Sequence, residues 1–277
     1  ILIAAGAVVA VAAVVVAIVV IKLAPGSSGH APVARYPKGA LPASVMAEIT
    51  GVPASTLNAI GSGSVFSYAP KGVAKVSGFA LTSGGKPEML YIGAEWCSFC
   101  GTMRWSVAVA LSRFGTLSPV KGIFSTSSGD AYPHTPSITF YGSTYSSPYV
   151  AFAPVENQTV TKAQLQAPTP AEQALWDRYD PDNNYPFIDI GNRYVIKDAL
   201  YSPALLAGMT WAGVAAALRD PSSSVAQGVD GAANVITAAI CTITGNQPSA
   251  VCSSSTIRGL EARLPLRPGL TGRARPR

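Results

Sequence analysis

The sequence predicts an α/β domain preceded by one N-terminal transmembrane helix. Three observations support this. Residues 1–21 contain no charged or strongly polar side chain. An apolar strand pattern at Met89–Gly93 precedes a helical pattern at Trp105–Phe114. Residues 185–196 read as strand, Gly-Asn turn and strand, and a helical pattern follows at 203–218. With 277 residues, 48% of them hydrophobic and 12% charged, the chain can bury a substantial core.

The N-terminal apolar segment has the length of a membrane span. A helix of 21 residues, at about 1.5 Å per residue, is roughly 30 Å long, which matches a bilayer core. A cleaved signal peptide has a shorter apolar region, of about 7–15 residues, followed by a small-residue cleavage site. We therefore interpret residues 1–23 as a transmembrane anchor. Because the first residue is Ile, we expect further residues upstream, whose Lys and Arg would set the orientation.

A Pro-, Gly- and Ser-rich segment, 24–44, follows the anchor and is typical of a tether. From Pro42 to Ile60, two Pro-Ala-Ser entries and two Gly exits predict two short helices. The folded domain is assigned to 45–252. Beyond it, the segment 253–277 holds six arginines and one glutamate, and so carries most of the formal charge of +6. We interpret it as a solvated basic tail rather than a nucleic-acid site.

The segment "AEWCSFC", Ala94–Cys100, carries the clearest chemistry. The strand at Met89–Gly93 follows a short strand and a Ser-Gly-Gly turn, and the helix after the cysteines stops at Gly115. Cys97 therefore falls at the N-terminal end of a helix. Unpaired backbone N–H groups and the positive end of the helix dipole stabilise a thiolate there, and the thiolate is the form that attacks disulfides.

This segment is similar to the active site of thioredoxins and their secreted disulfide-exchange relatives. The longer runs "LTSGGKPEMLYIGAEWCSFC", "TPSITFYGS" and "YPFIDIGNRYVI" resemble a family of membrane-anchored thioredoxin-like proteins from actinobacteria and archaea (domain of unknown function 929). The resemblance covers most of residues 41–252. It implies a thioredoxin-like fold with an insertion, and an extracytoplasmic compartment, more firmly than it implies an activity.

The resemblance also implies roles for individual residues. Cys97 would be the nucleophilic and more exposed thiol, and Cys100 the buried thiol that resolves the mixed disulfide. The residues flanking them at the active site are Glu95, Trp96, Ser98 and Phe99. The family's cis-proline, which faces the pair, matches Pro186 best, with Pro136 as its competitor.

The sequence departs from the thioredoxin pattern in its proton handling. Six residues before the first cysteine, thioredoxins place a buried acid, whereas this chain has Tyr91, a poor general base near neutral pH. Glu95 is expected to point into solvent, and Ser98-Phe99 lacks the histidine of strongly oxidising relatives. We expect a redox pair of moderate potential.

The pair Cys97 and Cys100 has three interpretations. It is a redox pair, a structural disulfide, or half of a zinc site that would need two further ligands. Cys241 and Cys252, separated by ten residues after a predicted helix at Ala232–Cys241, form a structural disulfide in our interpretation. A disulfide of this kind implies an oxidising side of the membrane.

Between residues 125 and 180 we expect the insertion. It is predicted to contain an aromatic hairpin over Ile138–Asn157 and a capped helix after Thr169. The acidic residues at 177–182 do not have EF-hand spacing and are interpreted as turn residues. No phosphate loop or dinucleotide fingerprint is present, and two distant histidines argue against a metal site. We therefore predict no cofactor, no metal and no nucleic-acid partner.

Two hypotheses for function follow. The first is a membrane-anchored thiol–disulfide oxidoreductase that exchanges disulfides with extracytoplasmic proteins through Cys97 and Cys100. The second is a non-catalytic accessory subunit, in which anchor and domain bind a larger membrane complex such as a transporter or respiratory assembly. Both place the chain at the cell membrane, single-pass, with its domain on the extracytoplasmic side.

Overall fold

The computed structural model describes residues 39–118 and 120–265, which form a mixed α/β fold. The predicted α/β class is confirmed. The predicted anchor, 1–23, lies outside the described residues, as does most of the tether. Within the part of the chain that the structure describes, no helix is long and apolar enough to cross a membrane.

The secondary structure alternates strands and helices along most of the chain. The strands are β1 Gly39–Ala40, β2 Ala74–Lys75, β3 Thr82–Ser83, β4 Lys86–Gly93, β5 Thr116–Ser118, β6 Lys121–Phe124, β7 Pro136–Thr139, β8 Thr144–Ser146, β9 Ala151–Glu156, β10 Phe187–Ile190 and β11 Tyr194–Ile196. The helices are α1 Ala43–Thr50, α2 Ala54–Ile60, α3 Val65–Tyr68, α4 Ser98–Ser112, α5 Pro170–Tyr179, α6 Trp211–Ala217, α7 Ser224–Ile243, α8 Ser249–Cys252 and α9 Ser255–Arg263, with a 3₁₀ turn at Pro203–Leu206.

The main sheet is built around β4. Strand β9 runs parallel to β4 on one side, and β10 runs antiparallel to it on the other. β11 and then β2 extend the sheet beyond β10, while β3 pairs with the start of β4. A central strand is covered on both faces, which explains why Met89–Ile92 is an unbroken apolar run that is fully buried.

Helices cover both faces of this sheet. On one face α4 packs against α7, and their buried side chains form the largest hydrophobic core together with Met89 and Tyr91. On the other face α5 contributes Trp176 and Tyr179 to a second core with Leu90. Because α4 lies inside the molecule, it is apolar along most of its length and carries the cysteine segment on a rigid element.

Several predicted elements have different bounds. Helix α7 begins at Ser224 rather than Ala232, because the Ser223 hydroxyl caps it by accepting the Val225 N–H. The helix predicted at 203–218 is divided by Gly208, whose φ of 72° ends the first turn. The segments around the cysteines and around Thr169 match the prediction, and Thr169 forms a complete capping box with Glu172.

The predicted hairpin over Ile138–Asn157 is wrong. Its strands lie in three different sheets: β7 pairs with β6, β8 pairs with β5, and β9 joins the main sheet beside β4. Alternating aromatic residues indicate strands, but they do not say which strands pair. Because β9 belongs to the main sheet, residues 125–180 do not form one separate insertion.

Both ends of the fold extend beyond the predicted domain. At the N-terminal end, Gly39 pairs with Gly122 and α1 begins at Ala43, so the last residues of the predicted tether are folded. At the C-terminal end, α9 buries Ile257 and Leu260 against α7. The spacing of these apolar residues places them on one helix face. The first part of the predicted basic tail is therefore structural, and residues 266–277 lie outside the described part.

Candidate functional site

The two cysteines of the first pair lie where β4 passes into α4. Cys97 is the N-cap residue of α4, and its Sγ accepts a hydrogen bond of 3.1 Å from the backbone N–H of Cys100. Both residues are free thiols. Both are buried: Cys97 is 4% exposed and Cys100 is 0% exposed. A thiolate at Cys97 would receive the N–H groups of the first helical turn.

The segment before β10 faces this pair. The Tyr185–Pro186 peptide bond is cis, and the Cys97 sulfur lies 4.0 Å from the Tyr185 carbonyl oxygen. Pro136, the other candidate, begins β7 in the buried interior, where its carbonyl accepts the indole N–H of Trp105. Of the two prolines, Pro186 is therefore the one beside the cysteines.

Aromatic side chains fix the position of Trp96 beside Cys97. The Trp96 ring meets the Tyr185 ring edge to face at 6.1 Å, and its indole N–H donates to the Gln158 side chain at 2.8 Å. The Lys162 ammonium lies 4.6 Å from the centre of the same ring. The Tyr185 hydroxyl donates to Asn157. These contacts fix one wall of the site beside Cys97.

A carboxylate that the sequence did not reveal is bonded to the start of α4. Asp130 accepts the backbone N–H of Ser98 at 2.8 Å and the Ser98 hydroxyl at 2.6 Å. The same loop donates the Thr126 N–H to the Trp96 carbonyl at 3.0 Å. Asp130 lies more than thirty residues after Ser98 in a loop without a local motif, so only the folded chain brings the two together.

A buried polar network lies behind Cys100. Arg104 and Glu156 form an ion pair of 2.6 Å in which both side chains are fully buried. Arg104 also lies over the ring of Tyr91, the residue in the position of the expected buried acid, at 5.8 Å. Within the described residues, the buried Tyr91 hydroxyl has no hydrogen-bond partner. Arg104, the one charged residue in the stretch 101–111, was the sequence signal for this network.

The network changes how easily the buried groups ionise. Burial raises the pKa of the Cys100 thiol well above its usual range, and Cys97 raises it further, whereas the Arg104 guanidinium lowers it. Burial likewise raises the pKa of Tyr91, against the lowering effect of Arg104. Although burial alone lowers the pKa of Arg104, Glu156 raises it, so this guanidinium stays charged.

An open cleft of about 360 Å³ gives access to Cys97. Its walls combine aromatic, amide and acidic side chains, and it is lined by Trp96, Cys97, Phe99, Asp130, Ala131, Asn183, Asn184 and Tyr185. Phe99 packs edge to face against Tyr132 at 5.9 Å. Glu95, expected to point into solvent, is half-buried. Its backbone N–H donates to the Gln158 carbonyl at 2.8 Å. The cleft offers both apolar and hydrogen-bonding contacts to a molecule that reaches the sulfur.

The remaining predicted site residues lie elsewhere. Cys241 and Cys252 form a disulfide that joins α7 to α8, and both are buried. Asp177 and Asp180 accept hydrogen bonds from Asn183 and Asn184 and so close the turn after α5. Across residues 39–118 and 120–265, no group of three His, Cys, Asp or Glu side chains could hold a metal ion.

Comparison with known proteins gives one match. A family model described as "Domain of unknown function (DUF929)" matches residues 72–242, which is more than half of the chain. The matched range includes Cys97, Cys100, Cys241 and all residues that line the cleft. No curated protein and no solved structure matches the chain.

Proposed function

This chain belongs to the DUF929 family, and from its site we propose a membrane-anchored, extracytoplasmic thioredoxin-like protein that exchanges thiols and disulfides through Cys97 and Cys100. One observation carries the proposal. Cys97 caps α4 with its sulfur on the Cys100 N–H, at the edge of an open cleft. Disulfide exchange needs a cysteine sulfur placed in this way, at a helix N-terminus and within reach of a substrate.

The strand order supports the thioredoxin-like part of the proposal. Strands β4 and β9 run parallel, and α4 and the strands β5 to β8 lie between them in the sequence. The antiparallel pair of β10 and β11 follows on the other side of β4. In thioredoxins the cysteines lie at the same strand-to-helix junction, opposite the cis-proline. The resemblance stated for Pro186 and for the cysteine segment thus concerns residues that are neighbours in space.

The proposed reaction takes two steps. The Cys97 thiolate attacks one sulfur of a substrate disulfide, forming a mixed disulfide and releasing the other substrate sulfur as a thiolate. The Cys100 thiol then loses its proton, and its sulfur attacks the Cys97 sulfur. The bond from Cys97 to the substrate breaks, the second substrate thiolate leaves, and the protein is oxidised by two electrons. The reverse sequence oxidises a dithiol substrate.

Two features support the proposed location. Residues 1–21 have the length and composition of a membrane span. The Cys241–Cys252 disulfide is a type of bond that persists in oxidising compartments. The proposed substrates are therefore extracytoplasmic proteins with cysteine pairs.

Trapping of mixed disulfides tests the proposal. In the Cys100→Ser variant the second step cannot occur, so partners should accumulate bound to Cys97 and appear on non-reducing gels of intact membranes. The matched control is the double variant Cys97→Ser, Cys100→Ser, which should trap nothing. If the two variants give the same gel pattern, disulfide exchange is excluded. Partner binding that survives in the double variant would instead favour the accessory-subunit function.

A further inference from the structure

The buried ion pair behind the cysteines lies on the same helix face as the resolving thiol. Arg104 follows Cys100 by four residues on α4, a spacing that places two side chains on one face. Both residues are fully buried. The guanidinium donates from Nε and Nη2 to the two carboxylate oxygens of Glu156, at 2.8 and 2.6 Å. Its remaining nitrogen, Nη1, contacts the Ser137 hydroxyl at 3.4 Å.

The resolving step requires a negatively charged sulfur at Cys100, inside the protein. Only a thiolate attacks a disulfide, and burial disfavours the charged form of Cys100. The titratable groups around it are Cys97 on the same helix, Tyr91 on β4, Glu156 on β9 and Tyr185 before β10. None of these four groups stabilises a negative charge on Cys100. The cation that lies among them is Arg104.

We propose that Arg104 is a positioning residue for the resolving step, where its buried charge stabilises the Cys100 thiolate, and that Glu156 holds the guanidinium and limits its field. This inference rests on the proposed exchange function. Glu156 is itself fixed, because one of its oxygens also accepts the Phe140 N–H at 3.1 Å. The Ser137 hydroxyl donates to the Gly101 carbonyl at 3.1 Å, which links the guanidinium's neighbour to the helix turn that carries Cys100.

The chemistry assigned to Arg104 involves no proton transfer from it. In the mixed disulfide, the Cys100 proton goes to water, and the sulfur that remains attacks Cys97. The electron pair of the broken bond leaves with the substrate sulfur. Arg104 stays protonated throughout, because Glu156 and Tyr91 raise its pKa. Its effect is electrostatic and is therefore present in both directions of the reaction.

An aromatic disulfide, dithiobis(nitrobenzoate), separates the two steps in the intact chain. Attack by Cys97 releases one coloured thionitrobenzoate, and attack by Cys100 on the mixed disulfide releases a second. We expect Arg104→Gln to slow the second release and Glu156→Gln to accelerate it. A tenfold change in thiolate population is partly offset by nucleophilicity, with a Brønsted coefficient of about 0.4–0.5, so each pKa unit should change the rate about threefold.

The opposite signs distinguish electrostatics from damage to the fold. A purely structural role would move both variants in the same direction, since each leaves a buried partner unpaired. Arg104→Lys, which keeps the charge, should restore most of the second-step rate. Arg113→Gln is the control: Arg113 is the C-cap residue of α4, at the end of the helix away from the cysteines, and donates to Asn234, so its loss should leave both releases unchanged. If Arg104→Gln does not fold, Glu156→Gln alone still decides.

Two results would overturn the inference. Second-step rates within twofold of the wild type in both glutamine variants, or shifts of the same sign, would remove any electrostatic role of Arg104. These results leave the exchange function intact, provided that the wild type releases two thionitrobenzoates per chain. A wild type that releases only one would overturn the exchange function, and the role of Arg104 with it.

Discussion

Replacing Asp130 by alanine removes a carboxylate that is distant in the sequence but hydrogen-bonded to the first turn of the cysteine helix α4. The variant Asp130→Ala loses the bonds of 2.8 and 2.6 Å to the backbone N–H and the hydroxyl of Ser98. Ser98 is fully buried, so both of its donors lose a partner in a place that water reaches poorly. Asp130 itself is half-buried, which reduces the strength of its bonds.

The magnitude follows from these contacts. A hydrogen bond to a charged group contributes about 1.5–3 kcal/mol, and loss of an N-cap costs about 0.5–2 kcal/mol. Because Asp130 is partly hydrated, we expect a loss of about 2 kcal/mol in the free energy of unfolding rather than the sum of two full bonds. Urea unfolding of the variant and the wild type measures this difference.

The same variant should react faster at Cys97. Asp130 and a thiolate at Cys97 are both negative charges at the N-terminal end of α4. Without the Asp130 carboxylate, the thiolate is no longer repelled by a neighbouring anion. A charge near a helix N-terminus is worth about 0.3–1 kcal/mol. Because lower basicity also lowers nucleophilicity, with a Brønsted coefficient of about 0.4–0.5, we expect a rate increase of about 1.3- to 2.5-fold in alkylation by iodoacetamide at fixed pH. Asp182→Ala, an exposed acid in the turn after α5, is the control and should change neither quantity. A variant as stable as the wild type, or one alkylated more slowly, would refute this reasoning.

Three further predictions concern stability. The double variant Cys241→Ala, Cys252→Ala opens a loop with a sequence separation of 11 residues, and should lower the free energy of unfolding by about 3 kcal/mol; a change below 1 kcal/mol in urea would contradict the assigned disulfide. Burial raises the pKa of Asp230 to about 8, so the native state favours its protonated form, and stability should fall as pH rises from about 4 to 8. Asp230→Asn should flatten that fall, and an unchanged pH profile would exclude this group. Thr169→Ala removes one half of the capping box and should cost about 1 kcal/mol, measured by thermal unfolding against the wild type.

Much of the local structure follows from sequence patterns alone. The helix after Thr169 is specified by a threonine, a proline and a glutamate within four residues, and all three act within one turn. The position of Cys97 likewise depends on neighbours: an apolar strand before it and an apolar helix after it. Pro186 was identified because it precedes a strand–turn–strand pattern. Where the determinants lie within about ten residues, the predicted and observed elements agree.

Contacts between distant segments were not predictable in the same way. The pairing of β9 with β4 depends on which strand edge is free after α4 has crossed the sheet, and no pattern within β9 encodes it. Asp130 reaches Ser98, and Glu156 reaches Arg104, only through that topology. The segment 253–277 was predicted to be a solvated tail because of its arginines. Its first part folds because Ile257 and Leu260 are buried.

The central claim is that Cys97 and Cys100 form a working exchange pair, and its reduction potential tests this most directly. The intact chain is equilibrated in graded thiol buffers, free thiols are alkylated, and the mass of the peptide containing both cysteines is read. The account predicts a potential between about −270 and −120 mV, the range of known exchange proteins. A value below about −300 mV, or a pair that is reduced only when the chain unfolds, would identify a structural bridge and contradict the account.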